Sequence, residues 1–409
     1  MSTTSVTDRL TRSHFVLLGL VASASFFEGY DFIILNLVIP IIQKEFMIST
    51  EAIGLAVSAI AVGTIVAFFV IQQGDRFGRR PLLIFTVLGY TIATGLTAIS
   101  QGIVTFVIFQ FIGRVFLVAE WGIATVIVAE ELPAKHRGWG IALVQAAAGI
   151  GGIVGGVLFP LVESSSLGWR AMYLVGLIPL VIVMVLRGGM KETRRFEEAK
   201  ASGQQKTSFK AALAPEYRRN LILIALLWIF MYLSYTPVLT FWTKFAVDER
   251  GWDVGAVSTA VAVSYGLGLS GFLVAGKLMD VWGRRPTSIL FFLLGAASTV
   301  WGFQAPSEQM GIALVFVTFF NTAYLTICST YMAELFPTHI RASAAAWTNN
   351  TVGRVGMVLA PVIVTQLARP LNGVGNAVSL MAIPAVLAAA LIFFFLPETR
   401  QKELEEIAS

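Results

Sequence analysis

The stretch GDRFGRRP, Gly74–Pro81, returns as MDVWGRRP, Met279–Pro286, with Asp280 standing 205 residues after Asp75. Two further landmarks keep the same order and nearly the same spacing. EELPAKHRG, Glu130–Gly138, comes back loosely as AELFPTHIRA, Ala333–Ala342, and the run ETRRFEE from Glu192 matches ETRQKELEE from Glu398. Chance does not preserve three landmarks in order, so the chain is an internal repeat of two related halves.

What fills the halves follows from composition. Of 409 residues, 56% are hydrophobic and 13% charged, and the mean hydropathy is +0.77. A soluble domain carries about 25% charged residues, and one this apolar would expose large sticky patches. The class is integral membrane. A helical span needs about 20 mostly apolar residues. The sequence predicts spans at 14–42, 51–72, 82–100, 103–128, 138–162 and 171–187, then at 220–243, 255–276, 288–304, 311–333, 342–367 and 376–396. Backbone groups in lipid must be satisfied within the segment, and the period-two alternation of a barrel is not seen, so the spans are helices. The predicted organisation is an N-terminal six-helix bundle at 1–190, a cytoplasmic linker at 191–219 and a C-terminal six-helix bundle at 220–409. The linker is basic and could touch anionic lipid headgroups; a plain solvated connector is the simpler reading.

Lysine and arginine set the orientation. With the N-terminus inside, 22 of the 29 fall in cytoplasmic segments, and only Lys44, Arg170, Lys244, Arg250 and Arg369 fall outside. Both termini are therefore expected on the cytoplasmic side of the cell (inner) membrane. The net charge of +5 is a topology signal that needs no nucleic-acid partner. The N-terminus runs into its apolar span without a small-residue cleavage site, which reads as an uncleaved first helix. The single cysteine, Cys328, allows no intramolecular disulfide, and His14, His136 and His339 show no metal-ligand spacing. Without a Ser/His/Asp set, metal cluster or nucleotide loop, no enzyme, metal or cofactor is expected.

The D-R-x-G-R-R loop between spans two and three, with its second copy between spans eight and nine, resembles the signature loop of the major facilitator superfamily. The second copy keeps the leading Gly276 of that pattern, where the first has Ile71. The resemblance implies an all-α fold of twelve transmembrane helices in two pseudo-symmetric bundles, working by alternating access as a functional monomer. It also implies a conformational gating role for Asp75, Arg76, Gly78, Arg79, Arg80, Glu130 and Arg137, and for Asp280, Gly283, Arg284, Glu334 and Arg341. On physical grounds Asp75 suits a helix N-terminus and Arg79 can pair with Glu130 or Glu131. Simple topology marking is the alternative for such a charged turn.

Shorter matches point to a branch. EGYD, Glu28–Asp31, resembles the D-G-x-D of aromatic-acid:proton symporters with Glu28 replacing the first acid, and AEWG, Ala119–Gly122, resembles the matching place in sialate and organic-acid proton symporters. The PETR exit at Pro397 and ELFPTHIRA resemble sugar porters, but span seven lacks their paired glutamines. GGIVGG, Gly151–Gly156, approaches the antiporter glycine-proline motif with Gly152 where the proline would stand, so close packing through small residues is preferred.

Glu28, Asp31, Arg114, Glu120 and Arg354 lie deep in spans. Each costs about 2.5–3.5 kcal/mol against lipid on insertion scales, so they should face a cavity or one another. On a helix of about 3.6 residues per turn, Arg114 and Glu120 point roughly 120° apart and should serve different neighbours. An arginine fork matches a carboxylate, which makes Arg114 and Arg354 candidate anchors for an anionic substrate. Desolvation disfavours a charged carboxyl, so Asp31 first, then Glu120 and Glu28, are candidates to carry a proton. Protonation with substrate binding would neutralise the cavity and permit one half to rock on the other. Fixed ion pairs joining helices are the competing reading. Tyr30, Gln145, Tyr232, Tyr235, Asn321, Tyr324, Trp347 and Asn350 are candidates to line the substrate cavity, with helix-to-helix hydrogen bonding as their competitor. The expected function is proton-coupled symport of a small organic anion, an aromatic or sugar-derived carboxylate. The alternatives are an exporter or antiporter, a sugar-type facilitator, and a non-transporting sensor.

Overall fold

The computed structural model describes residues 10–132, 134–188, 212–337 and 340–400. All regular structure among them is helical. The first half contributes α1 (Arg12–Glu45), α2 (Thr50–Phe77), α3 (Arg79–Ala98), α4 (Ile103–Glu131), α5 (Ala134–Glu163) and α6 (Arg170–Gly188). The second contributes α7 (Arg218–Lys244), α8 (Val254–Gly268), α9 (Ser270–Trp282), α10 (Arg284–Gln304), α11 (Met310–Glu334), the short α12 (Arg341–Ala345), α13 (Arg354–Ala368), α14 (Val374–Leu380) and α15 (Ala382–Phe395). Three pairs run on as single segments: α8 with α9, α12 with α13 through a π-helical stretch, and α14 with α15. Among the described residues ten helices are long and apolar enough to cross a membrane, and Ala146–Val162 within α5 is a shorter apolar helix. Large side chains such as Leu273, Val104 and Phe394 stay exposed along these helices, as lipid-facing residues do. The all-α membrane fold is the one expected from hydropathy.

The repeat is also a repeat of backbone conformation. Gly78 and Gly283 take φ of 101° and 116°, and each immediately precedes the next helix, α3 and α10. A side chain at such a φ is strained, whereas glycine adopts it freely. The same corner is therefore written into both copies of the loop.

In the second copy the charges around this corner form a network. Arg284 donates through Nε and Nη2 to Glu334 Oε1 at 3.1 and 3.0 Å, and through Nη1 to Asp280 Oδ1 at 3.0 Å. Thr399 donates its hydroxyl to the other oxygen of Glu334, and Arg341 donates to the Phe336 carbonyl at 3.4 Å. The Glu398 carboxylate accepts the backbone N–H groups of Arg284 and Arg285 at 2.8 and 2.9 Å, at the N-terminus of α10, where a negative charge is favoured. Burial pushes this carboxyl up, but the N–H groups of Arg285, Arg284, Arg400 and Thr399 outweigh it and hold it below its ordinary value. A depressed carboxyl contributes stability above its unfolded pKa, about 4.3, and loses it as pH falls through the lower folded value. Glu398→Gln should therefore melt earlier than wild type at pH 7, with the gap closing below about pH 4. A gap in melting temperature that ignores pH would contradict this role.

The described residues pack as two compact units. One takes Leu35–Ile65 together with the residues from 212 onward; the other takes the residues up to Ile34 and from Val66 to 188. The first assignment rests on contacts that span great sequence distance. Lys44 and Lys244 both pair with Asp248, at 3.4 and 2.7 Å, and Lys244 also donates to Gln43. At Gly54 a Cβ would strike Thr365 Oγ1 at 1.8 Å, so α2 and α13 meet backbone to side chain. A cavity of about 310 Å³ at this end is lined by Glu51, Lys244, Asp248, Glu249 and Arg369 among others.

Candidate functional site

The unit of residues up to Ile34 and from Val66 to 188 buries an ion pair. Asp31 from α1 and Arg114 from α4 meet at 3.2 Å between Oδ2 and Nη2, with exposures of only 5% and 7%. Close helix packing brings this part of α1 into the bundle. A Cβ at Gly29 would stand 1.8 Å from the Ala148 carbonyl oxygen, and one at Gly151 would stand 1.9 Å from that of Phe26, so α1 and α5 touch only because both positions are glycine. That is the packing role expected of the GGIVGG run. Tyr30 ties the same turn to α6 by donating its hydroxyl to the Met172 carbonyl at 2.8 Å. Glu120 is buried on α4 at 1% exposure, and Glu28 lies half-buried one turn before Asp31.

The second unit, Leu35–Ile65 with the residues from 212 onward, holds the other deep arginine in a different state. Arg354 is 7% exposed, its Nε has no hydrogen-bond partner, and no acid pairs with it among the described residues. It opens α13 directly after the π-helical segment Ala346–Gly353, a local widening that often marks functional sites. The segment is fastened to α7. Tyr232 donates its hydroxyl to Asn349 Oδ1 at 2.9 Å and stacks on Trp228 at 5.7 Å between ring centroids. A Cβ at Gly353 would stand 2.6 Å from Trp228 Cβ, so the chain beside Arg354 lies against this tryptophan. Asn350, Trp347 and Tyr235 are half-buried on the same two elements.

Two other expected lining residues sit in the packed interior of the second unit. Asn321 is fully buried, with Nδ2 donating to the Val317 carbonyl at 2.9 Å and Oδ1 unpartnered. The Tyr324 ring stacks on Phe292 at 4.2 Å, and its hydroxyl donates to the Phe292 carbonyl at 3.2 Å. Arg80 is exposed at the start of α3. The side chains of Gln145, Asp75, Arg76, Arg79, Glu130 and Arg137 lie outside the described part of the structure.

The family model for the Major Facilitator Superfamily matches residues 21–361 and, separately, 244–409. The chain belongs to the Major Facilitator Superfamily. Its relatives include the niacin transporter NiaP of Acinetobacter baylyi, 26% identical over 96% of each chain, and the cis,cis-muconate transport protein of the same organism, 25% identical over 83% of this chain and 84% of the relative. The inward-open structure of the xylose transporter XylE from E. coli superposes with a TM-score of 0.80 at 19% identity, covering 96% of this chain and 99% of that one. This facilitator is thus a multi-pass membrane transporter and not an enzyme, and its relatives fall on the organic-acid side that EGYD suggested.

Sequence reading missed Trp228, Tyr90 and Gln110. Tyr90 on α3 and Gln110 on α4 are buried in the same unit as Asp31. Their signal was available as polar side chains in the middle of apolar spans three and four.

Proposed function

We propose that this facilitator couples entry of a small organic anion to a proton by alternating access. Arg354 captures the anion and Asp31 carries the proton. The observation that carries this reading is the contrast between the two buried arginines: Arg114 is paired with Asp31, whereas Arg354 is buried with its Nε unpartnered and no acid paired with it among the described residues. A guanidinium within a membrane span costs several kcal/mol unless it faces a cavity or a partner, and a carboxylate fits its fork. Niacin and cis,cis-muconate, named for the relatives, are both small carboxylates, which supports the same class here. Neutralising Asp31 breaks the Arg114 pair, giving the protonated and ionised carriers different internal contacts. A monomer of two six-helix halves, at 1–190 and 220–409 around a 191–219 linker, completes the reading. It places both termini on the cytoplasmic side of the inner membrane, as the lysine and arginine distribution suggests.

The test is uptake into proteoliposomes with an imposed inward proton gradient, using niacin, cis,cis-muconate, nicotinamide and xylose. Gradient-stimulated uptake of a carboxylate, with nicotinamide and xylose excluded, is expected. Uptake of nicotinamide equal to niacin would overturn the anion anchor, and uptake indifferent to the gradient would overturn the coupling.

A further inference from the structure

Arg354 sits where the helix changes its winding. Its backbone N–H reaches back five residues to the Asn349 carbonyl, and also to that of Val352; an α-helical bond reaches back four. Thr351 repeats the five-residue reach with its side chain, giving its hydroxyl to the Ala346 carbonyl at 2.9 Å. A turn of this kind holds one residue more than an α-helical turn. Rewinding it as α-helix would rotate Arg354 by roughly 100° relative to the residues before the turn. The aim of the guanidinium therefore depends on what keeps the turn wide.

Two restraints meet at Asn349. Its carbonyl accepts the Arg354 N–H, and its Oδ1 accepts the Tyr232 hydroxyl of α7 at 2.9 Å. The tyrosine is seated by its stack on Trp228, 5.7 Å between ring centroids. Trp228 in turn bears on the chain at Gly353, where an added Cβ would stand 2.6 Å from its own Cβ. One turn on, a Cβ at Gly356 would stand 2.5 Å from the Ile229 carbonyl oxygen. The two glycines set how closely α13 approaches α7. The hydrogen bond sets which residue of the turn faces Tyr232, because such a bond weakens steeply once its donor and acceptor are misaligned.

We propose that Tyr232 and Asn349 are positioning residues for Arg354, their hydrogen bond holding the wide turn and so aiming the guanidinium at the substrate carboxylate. The proposal rests on the reading of Arg354 as the anion anchor. Neither side chain has to touch the substrate, which separates this role from the cavity lining expected of Tyr232 in the sequence. A misaimed arginine keeps its charge but meets the carboxylate off its planar fork. Affinity then falls, while a carrier that has bound its substrate still turns over.

The experiment measures the concentration dependence of uptake into proteoliposomes, using whichever of niacin and cis,cis-muconate the wild type takes up. Tyr232→Phe and Asn349→Leu should each raise KM roughly tenfold, the scale of one hydrogen bond, with the maximal rate nearly unchanged. The double variant should match either single one, because both remove the same bond. A double variant whose KM rises by the product of the two single effects would mean separate contacts with substrate, and would overturn the proposal. A lower melting temperature or maximal rate with KM unchanged would overturn it too, and leaves the anchor standing where Arg354→Gln has lost affinity. An Arg354→Gln protein with wild-type KM, or a wild type that takes up neither acid, removes the anchor and this proposal with it. Should Tyr232→Phe fail to fold, as circular dichroism would reveal, a KM unchanged in Asn349→Leu is enough to overturn the proposal and a raised one with intact maximal rate to sustain it.

Discussion

Asp31→Asn is expected to abolish gradient-driven accumulation of the substrate anion while sparing counterflow, the exchange of labelled for unlabelled substrate at equal pH. Asparagine keeps the size and one oxygen of aspartate but cannot cycle a proton. It imitates a carboxyl that is always neutral, so net uptake loses its driving force, whereas exchange never requires the empty carrier to return. The substitution also removes the charge facing Arg114 at 3.2 Å. Orphaning one partner of a buried ion pair costs about 3–5 kcal/mol, and asparagine's remaining acceptor should moderate this. A lower melting temperature with exchange intact is therefore expected. Full accumulation against a gradient by Asp31→Asn would remove this residue from the coupling.

Arg354→Gln is expected to separate stability from transport. The guanidinium is buried and its Nε is unpartnered, so its charge opposes folding in a way that a neutral side chain of similar reach does not. The variant should melt at or above the wild-type temperature. Its uptake of carboxylates should nevertheless fall roughly 100-fold, the scale of losing two charge-assisted hydrogen bonds. Arg354→Lys, which keeps the charge but not the planar fork, should lie between. This pattern distinguishes an anchor for a ligand from a structural arginine, whose removal would damage the fold. Wild-type affinity for carboxylates in Arg354→Gln would rule out the anchor.

The fold was legible because two strong signals agree. Hydropathy gives the helices, and the G-R-R corner recurs in both halves, with Gly78 and Gly283 sharing a positive φ at matching places. The deep charges were legible as a set, since lipid makes each one conspicuous, and helix geometry already separated Arg114 from Glu120. Their pairing was not. Asp31 lies on α1, which is drawn against α5 by the glycine contacts at Gly29 and Gly151, and Arg114 lies on α4; no periodicity reports which arginine has an acid opposite it. The isolation of Arg354 depends on everything packed around it, and the π-helical widening before it is invisible in AWTNNTVG read as an ordinary span. The grouping of Leu35–Ile65 with the second half was equally hidden, because hydropathy treats α1 and α2 as uniform rods. It emerges from Lys44 and Lys244, both of which sequence reading placed outside and which meet at Asp248.

The most direct test of proton–anion symport is proton movement driven by substrate alone. Proteoliposomes containing a lumenal pH dye, with equal pH on both sides, would receive external cis,cis-muconate, and the change would be compared with protein-free liposomes and with Asp31→Asn. Symport predicts lumenal acidification that requires the protein and disappears in Asp31→Asn. Muconate entry through the wild-type protein with no protein-dependent acidification would contradict it.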